Sequence, residues 1–220
     1  MTARDGPGIS NTAGEPLLTT FSIVRHGQTD WNLHHRIQGS TDIPLNATGR
    51  AEAVAAAQRL QIRSWDAIVT SPLLRAAESA RIIATELGLN EPQIVPDLTE
   101  RHHGAIEGLT FTERQEIFPD GVVVPGLETR RDVVDRVLAA LATLAAGRAG
   151  QRVLVLSHGG IIGTLLRHVT EGERPRHGEF IANGSVHDFL WENDQLLLTH
   201  FDATTRMPDP QGGPAQSPVL

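Results

Sequence analysis

Short apolar runs alternate along this chain with longer stretches whose apolar positions recur every three or four residues. Phe21–Val24, Asp66–Thr70, Ile94–Val95 and Arg152–Leu156 read as strands, and the last (RVLVL) is apolar enough to be buried on both faces. Helical stretches separate them. Ala51–Gln61 is Ala-rich, with Asn46 or Thr48 as its cap. A second helix opens at Pro72 and runs to Leu87, where Gly88 stops it. A third spans Glu128–Ala145, with Val133, Val134, Val137, Leu138 and Leu141 as its apolar positions, and a fourth spans Ile161–His168. Val186–Trp191 and Leu196–His200 predict a hairpin that turns at Glu192-Asn193-Asp194. Strands alternating with helices predict an α/β three-layer sandwich. Its central sheet is mostly parallel, with helices on both faces and the hairpin as an antiparallel edge.

Residues 1–19 and 204–220 carry Gly and Pro with little apolar content, which predicts flexible tails around one folded body, 20–203. The first residues lack an apolar stretch followed by a small-residue cleavage site, so no secretory signal is expected. No apolar run approaches the ~20 residues of a membrane span. The expectation is a cytoplasmic protein.

Composition then narrows the chemistry. The 220 residues contain no Cys, Tyr or Lys, and all 19 basic residues are Arg. Thiolate nucleophiles, Cys-ligated metals, Schiff-base lysines and a P-loop lysine are excluded. Ten His remain, the side chain best suited to proton and group transfer near neutral pH. A net charge of −7 without an Arg-rich run argues against nucleic acid as a partner, but leaves room for a small anion gripped by a few converging Arg.

Three polar clusters each follow a predicted strand directly: Arg25-His26-Gly27, Ser71-Pro72 with Arg75 one turn on, and Ser157-His158-Gly159-Gly160. Ligands of open α/β sheets bind at the carboxyl ends of strands, so two His and two Arg meet at one crevice if the three strands are neighbours. Guanidinium forks match phosphoryl oxygens, the glycines allow close backbone approach, and Gly159-Gly160 opens a helix whose free N–H groups favour an anion. The sum is a phosphoryl site in which a nucleophilic His needs no metal. Competing readings are weaker. There is no G-x-S-x-G elbow for a serine hydrolase, and neither His34-His35 nor His102-His103 has the spacing of a metal ligand set.

Taken in order, the motifs resemble the histidine phosphatase superfamily, the phosphoglycerate mutase-like proteins. The resemblance runs through Arg25-His26-Gly27-Gln28-Thr29-Asp30-Trp31-Asn32, Gln38-Gly39, Pro44-Leu45-Asn46 with Gly49, and Thr70-Ser71-Pro72-Leu73-Leu74-Arg75-Ala76. It continues through Leu98-Thr99-Glu100-Arg101-His102-His103-Gly104, Glu107-Gly108, Pro125-Gly126-Leu127-Glu128 and Ser157-His158-Gly159-Gly160. It implies a phosphoglycerate mutase-like fold and a set of roles. His26 would be the nucleophile that becomes phosphohistidine. Arg25, Arg75 and His158 would bind the transferred phosphoryl group, and Asn32 would add a neutral donor. Glu100 would be the general acid and then the base that activates water. Gln38, Gly39 and Gly159 would lie close to the substrate. Where relatives often read Pro-Gly-Gly-Glu-Ser, this chain reads Pro125-Gly126-Leu127-Glu128-Thr129.

The resemblance leaves the second half-reaction open between water and a hydroxyl of a bound phosphoacid. The 23 residues 105–127 form only a short cap, with one predicted helix at Phe111–Phe118 and Arg114 as the sole cation. A small cap leaves water at the site, which favours a phosphatase acting on a small phosphorylated metabolite without a cofactor. The alternative is a cofactor-dependent phosphoglycerate mutase, which would use 2,3-bisphosphoglycerate. A third reading, a phosphate-binding module without catalysis, is opposed by the presence of His26, Glu100, His158 and both Arg. Ile106, Leu109, Phe111, Phe118 and Val122–Val124 are expected to give the cap an apolar rim. A monomer and a homodimer are both compatible with the sequence.

Overall fold

The computed structural model describes residues 18–205. In chain order the elements are β1 Thr19–Arg25, α1 Asp30–Leu33, α2 Ala47–Leu60, β2 Ala67–Thr70, α3 Leu74–Leu87, β3 Gln93–Ile94, α4 Phe111–Ile117, α5 Arg130–Ala146, β4 Arg152–Ser157, α6 Gly159–Val169, β5 Glu179–Phe180, β6 Val186–Glu192, β7 Gln195–Phe201 and β8 Thr204–Thr205. Six strands form one sheet in the order β3-β2-β4-β1-β6-β7. The first four are parallel; β6 then pairs antiparallel with β1, and β7 antiparallel with β6. The hairpin turns on Asn193 and Asp194, both left-handed at φ 49 and 59°, the backbone that a two-residue turn between twisted strands demands.

Side-chain alternation builds the layers. On β4, Val153 and Val155 face one core with Phe21, Ile23, Val133, Val137, Leu141, Ile161 and Leu165, so α5 and α6 cover that side. Leu154 and Leu156 face the other core with Val24, Ala56, Ala57, Ala80, Ile83 and Ala84, which α2 and α3 cover. Both faces of β4 are fully buried, as its unbroken apolar run predicted.

Several boundaries differ from expectation for local reasons. α3 begins at Leu74 rather than at Pro72, because a remote carboxylate, Asp42, accepts the Leu74 N–H at 2.7 Å and starts the helix there. α5 begins at Arg130 because Thr129 and Asp132 form a capping box, which leaves Glu128 outside the helix. α6 begins two residues early, at Gly159. The predicted tails are shorter than drawn. Thr19 already belongs to β1, and Thr204–Thr205 pairs with β5. The remainder of both tails lies outside the described residues. The tetrapeptide α1 was not anticipated, and it is set by a capping box between Thr29 and Asn32.

The cap leaves and re-enters the body at one neck. Gly104, at φ +57°, packs so closely on the returning chain that a methyl group there would lie 2.1 Å from the Pro125 carbonyl oxygen. The Ala105 N–H donates to that same oxygen at 2.9 Å. Ile106 and Val124 are buried at this neck and are not part of an apolar rim, whereas Val122 and Val123 are exposed. Arg114 does not stand free on the cap but pairs with Asp120.

Candidate active site

The carboxyl ends of β1, β4 and β2 are adjacent, with Arg25 opposite Ser157 and Leu156 opposite Thr70. One residue beyond the pairing, the His26 N–H still donates to Ser157 and the Ser71 N–H to Leu156. The sheet therefore delivers Arg25, His26, Ser71 and His158 side by side, and the first turn of α3 adds Arg75.

His26 is 2% exposed, and its ring lies 5.2 Å from that of His158, centroid to centroid. Its Nδ1 is 2.7 Å from the Gly27 carbonyl oxygen. A carbonyl only accepts, so Nδ1 carries the proton and Nε2 keeps its lone pair. Burial, then the charges of Arg75 and Arg25, hold this imidazole well below its ordinary pKa. The geometry thus leaves His26 a neutral imidazole with its Nε2 lone pair free. The backbone behind it is tightly fixed. The Gly27 N–H donates to Ser79 Oγ, Asn183 Nδ2 donates to the His26 carbonyl, and a methyl group at Gly27 would lie 2.1 Å from the Gly49 oxygen.

The two arginines are not the free forks that the sequence suggested. Arg75 is fully buried, and its Nη1 and Nη2 donate to the carbonyls of Thr41 and Gly39 at 2.8 and 2.7 Å. Burial lowers its pKa to about 10, so it stays charged at neutral pH. Arg25 gives Nη1 to the Ile181 carbonyl at 2.6 Å, and burial lowers its pKa too. What these anchors leave over is informative. Arg25 Nε, Arg75 Nε and His158 Nδ1 are buried with no hydrogen-bond partner among the described residues. Buried polar groups are normally satisfied, and these three belong to the residues that the strand ends and the first turn of α3 group with His26. Such a set suits an oxyanion.

Glu100 departs from expectation in a different way. Its Oε2 accepts the Gly160 N–H at 3.0 Å, and its Oε1 accepts those of Ile161 and Arg101 at 3.1 and 2.8 Å. The α6 N–H groups expected to face a free anion are therefore taken by this carboxylate. A methyl group at Gly160 would lie 2.6 Å from Oε1, so the glycine makes the approach possible. Arg136 braces the Glu100 segment from behind. It pairs with Glu128 through Nε at 2.7 Å and Nη2 at 3.0 Å, and its Nη1 donates to the Asp97 carbonyl.

The remaining predicted residues lie on the Arg75 side or beside Arg25. Gly39, at φ +56°, supplies a carbonyl to Arg75, and Gly159 packs against Arg25, where a methyl group would lie 3.3 Å from Nε. Gln38 is buried, with its Oε1 unpaired. Asn32 spends its Oδ1 on the α1 cap, where Asn183 also reaches it at 3.4 Å. Five residues with a part in this geometry carry no sequence assignment: Ser71, Ser79, Asn183, Arg136 and Glu107. Glu107 binds the N–H groups of Ser40, Thr41 and His103, and so pins the loop that holds Arg75. Their signals are weak singly, although Ser71 and Glu107 stand inside quoted motifs.

The profile of the histidine phosphatase superfamily (branch 1) matches residues 21–204. A Bacillus subtilis relative described as an uncharacterized phosphatase, PhoE, is 34% identical over 86% of this chain and 97% of its own length. The phosphoglycerate mutase-like protein 4 of Arabidopsis thaliana is 36% identical, covering 80% of this chain and 81% of its own. Among solved structures, a mycobacterial glucosyl-3-phosphoglycerate phosphatase superposes with a TM-score of 0.70 at 30% identity, covering 79% of this chain and 90% of that one.

Proposed function

From the premise that this chain belongs to branch 1 of the histidine phosphatase superfamily and is an enzyme of the hydrolase kind, we propose that it hydrolyses a small phosphomonoester through a phosphohistidine on His26. The observation that carries this reading is the bare Nε2 of a neutral, buried His26 set among unpaired donors of Arg25, Arg75 and His158. In the first step Nε2 bonds to phosphorus as the ester P–O bond breaks, and the departing oxygen takes a proton from Glu100. In the second, the Glu100 carboxylate takes a proton from water, the water oxygen bonds to phosphorus and the P–N bond breaks. Phosphate and neutral His26 are regenerated. The arginines and His158 stabilise the charge that spreads over the equatorial oxygens. Every proton and charge in this scheme is handled by the chain itself, so neither a metal nor an organic cofactor takes part.

The mutase reading is favoured by likeness to relatives with mutase names, the Arabidopsis protein named above among them. Against it stands the short cap, whose one charged donor, Arg114, is already paired with Asp120. Two measurements separate the readings. Brief incubation with a labelled phosphomonoester, quenched in alkali, should leave acid-labile label on His26, and His26→Ala should abolish both label and turnover. With 3-phosphoglycerate and catalytic 2,3-bisphosphoglycerate, little 2-phosphoglycerate should form, while good phosphomonoesters release inorganic phosphate. Full turnover by His26→Ala refutes the mechanism, and rapid interconversion of the phosphoglycerates without phosphate release establishes the mutase.

A further inference from the structure

His158 and Ser71 meet on neighbouring strand ends, with Nε2 and Oγ 2.8 Å apart, and both residues are fully buried. Such a contact can carry the proton in either direction. The other partners of Ser71 decide which. The Leu73 N–H points at the same Oγ, at 3.3 Å. One lone pair is therefore engaged, and among the described residues Oγ has no acceptor for its own proton other than His158 Nε2. If His158 donated instead, Ser71 would accept twice and bury an unpaired hydroxyl proton, at a cost of ~1–3 kcal/mol. His158 would then also turn a bare Nδ1 lone pair toward a site meant for an oxyanion.

We infer that Ser71 is a positioning residue: its hydroxyl donates to His158 Nε2, fixes the imidazole in the Nδ1–H tautomer, and so makes Nδ1 a hydrogen-bond donor to the phosphoryl group. Nδ1 is the ring nitrogen left buried without a partner, which is where such a donor is wanted. Geometry also explains why a serine hydroxyl is needed rather than a charge. Burial first, and then the charges of Arg75 and Arg25, hold the His158 ring well below its ordinary pKa and so neutral. A neutral imidazole has one proton to place, and a neighbour that donates to one nitrogen leaves it on the other. The tautomer assignment stands apart from the proposed activity, while the use of Nδ1–H rests on it.

The test reads the tautomer directly. Nitrogen-15 spectra of the histidine-labelled wild-type protein near neutral pH should show His158 with a protonated Nδ1 and a bare Nε2. In Ser71→Ala the Nε2–H form should become the major one. The kcat for p-nitrophenyl phosphate should fall ~10–100-fold, less than the ~10²–10³-fold seen when an oxyanion donor is removed outright because the ring stays in place, with KM changed far less. Ser71→Thr keeps the hydroxyl and should restore the wild-type tautomer and most of kcat. A protonated Nε2 in the wild-type protein overturns the inference whether or not any variant folds. So does Ser71→Ala with an unchanged tautomer and unchanged kcat. If the wild-type protein shows the Nδ1–H form but releases no phosphate from any ester, the tautomer stands and the phosphatase reading fails.

Discussion

Gly160→Ala separates the fold's requirements from those of catalysis. The added methyl group would sit 2.6 Å from Glu100 Oε1 and 3.1 and 3.2 Å from Cδ and Oε2. Ordinary contacts begin near 3.4 Å, so the carboxylate must withdraw by about 1 Å, a displacement that can cost ~10²-fold in rate. What withdraws is the far end of a flexible side chain, so the backbone need not move. The stability terms oppose one another. Weakening the bonds from the Gly160 and Ile161 N–H groups costs ~1.5–3 kcal/mol each at most, while Ala gains ~1 kcal/mol over Gly in a helix. The expected variant is folded but slow, with Tm lowered by no more than ~20 °C, the ~5 kcal/mol upper bound converted at ~2–4 °C per kcal/mol. A general acid matters most when the leaving oxygen is a poor leaving group. The kcat for an alkyl phosphate should fall ~10–100-fold, and that for p-nitrophenyl phosphate only a few-fold. Equal losses on the two esters, or no loss on the alkyl ester, would show that Glu100 is not the proton donor. A collapse of Tm would show that the carboxylate is rigidly part of the α6 terminus.

Three further outcomes are expected. Gly27→Ala should be far more disruptive than Gly160→Ala, because its methyl group meets the Gly49 backbone at 2.1 Å rather than a mobile side chain; a loss of ~3 kcal/mol or more in urea unfolding is expected, and a loss below ~1 kcal/mol refutes the packing argument. His187 is buried with a pKa near 4, below its value in the unfolded chain, so the stability it confers is present above pH ~6.5 and is lost as pH falls toward 4. Between pH 7 and 5 that amounts to about 2 kcal/mol at ~1.4 kcal/mol per unit, and His187→Gln should show a correspondingly shallower loss by urea unfolding at the two pH values. Prolonged treatment with EDTA should leave phosphate release unchanged; inactivation reversed by magnesium or zinc contradicts the metal-free chemistry proposed above.

The grouping of Arg25, His26, Ser71 and His158 was legible because each closes or directly follows a strong apolar strand. Arg25-His26, Ser71 and His158 needed only the adjacency of β1, β4 and β2, which the order of the sheet supplies. What stayed hidden depends on partners distant in sequence. Nothing local announces that Asp42 caps α3, that Asn183 holds the His26 carbonyl, or that Glu100 occupies the end of α6. The last of these changed what the helix N-terminus was expected to hold: a carboxyl side chain of the same chain sits there in place of an external ligand. Elements of two to four residues, such as α1, β5 and β8, also escaped detection. They are too short for periodicity and are held by capping or by tertiary pairing.

The neck at Gly104 and Pro125 has an evolutionary consequence. Because the frame already brings the two ends of the cap together, the chain between them can change length without moving the strand ends. For a flexible loop, each doubling of length costs only ~0.6 kcal/mol in closure entropy. Lineages sharing this scaffold can therefore exchange the cap for shorter or longer ones, and with it the molecules admitted, by insertion and deletion rather than by rebuilding the core. Gly104 is the residue such a history must spare, since any side chain there would force the two strands of the neck apart.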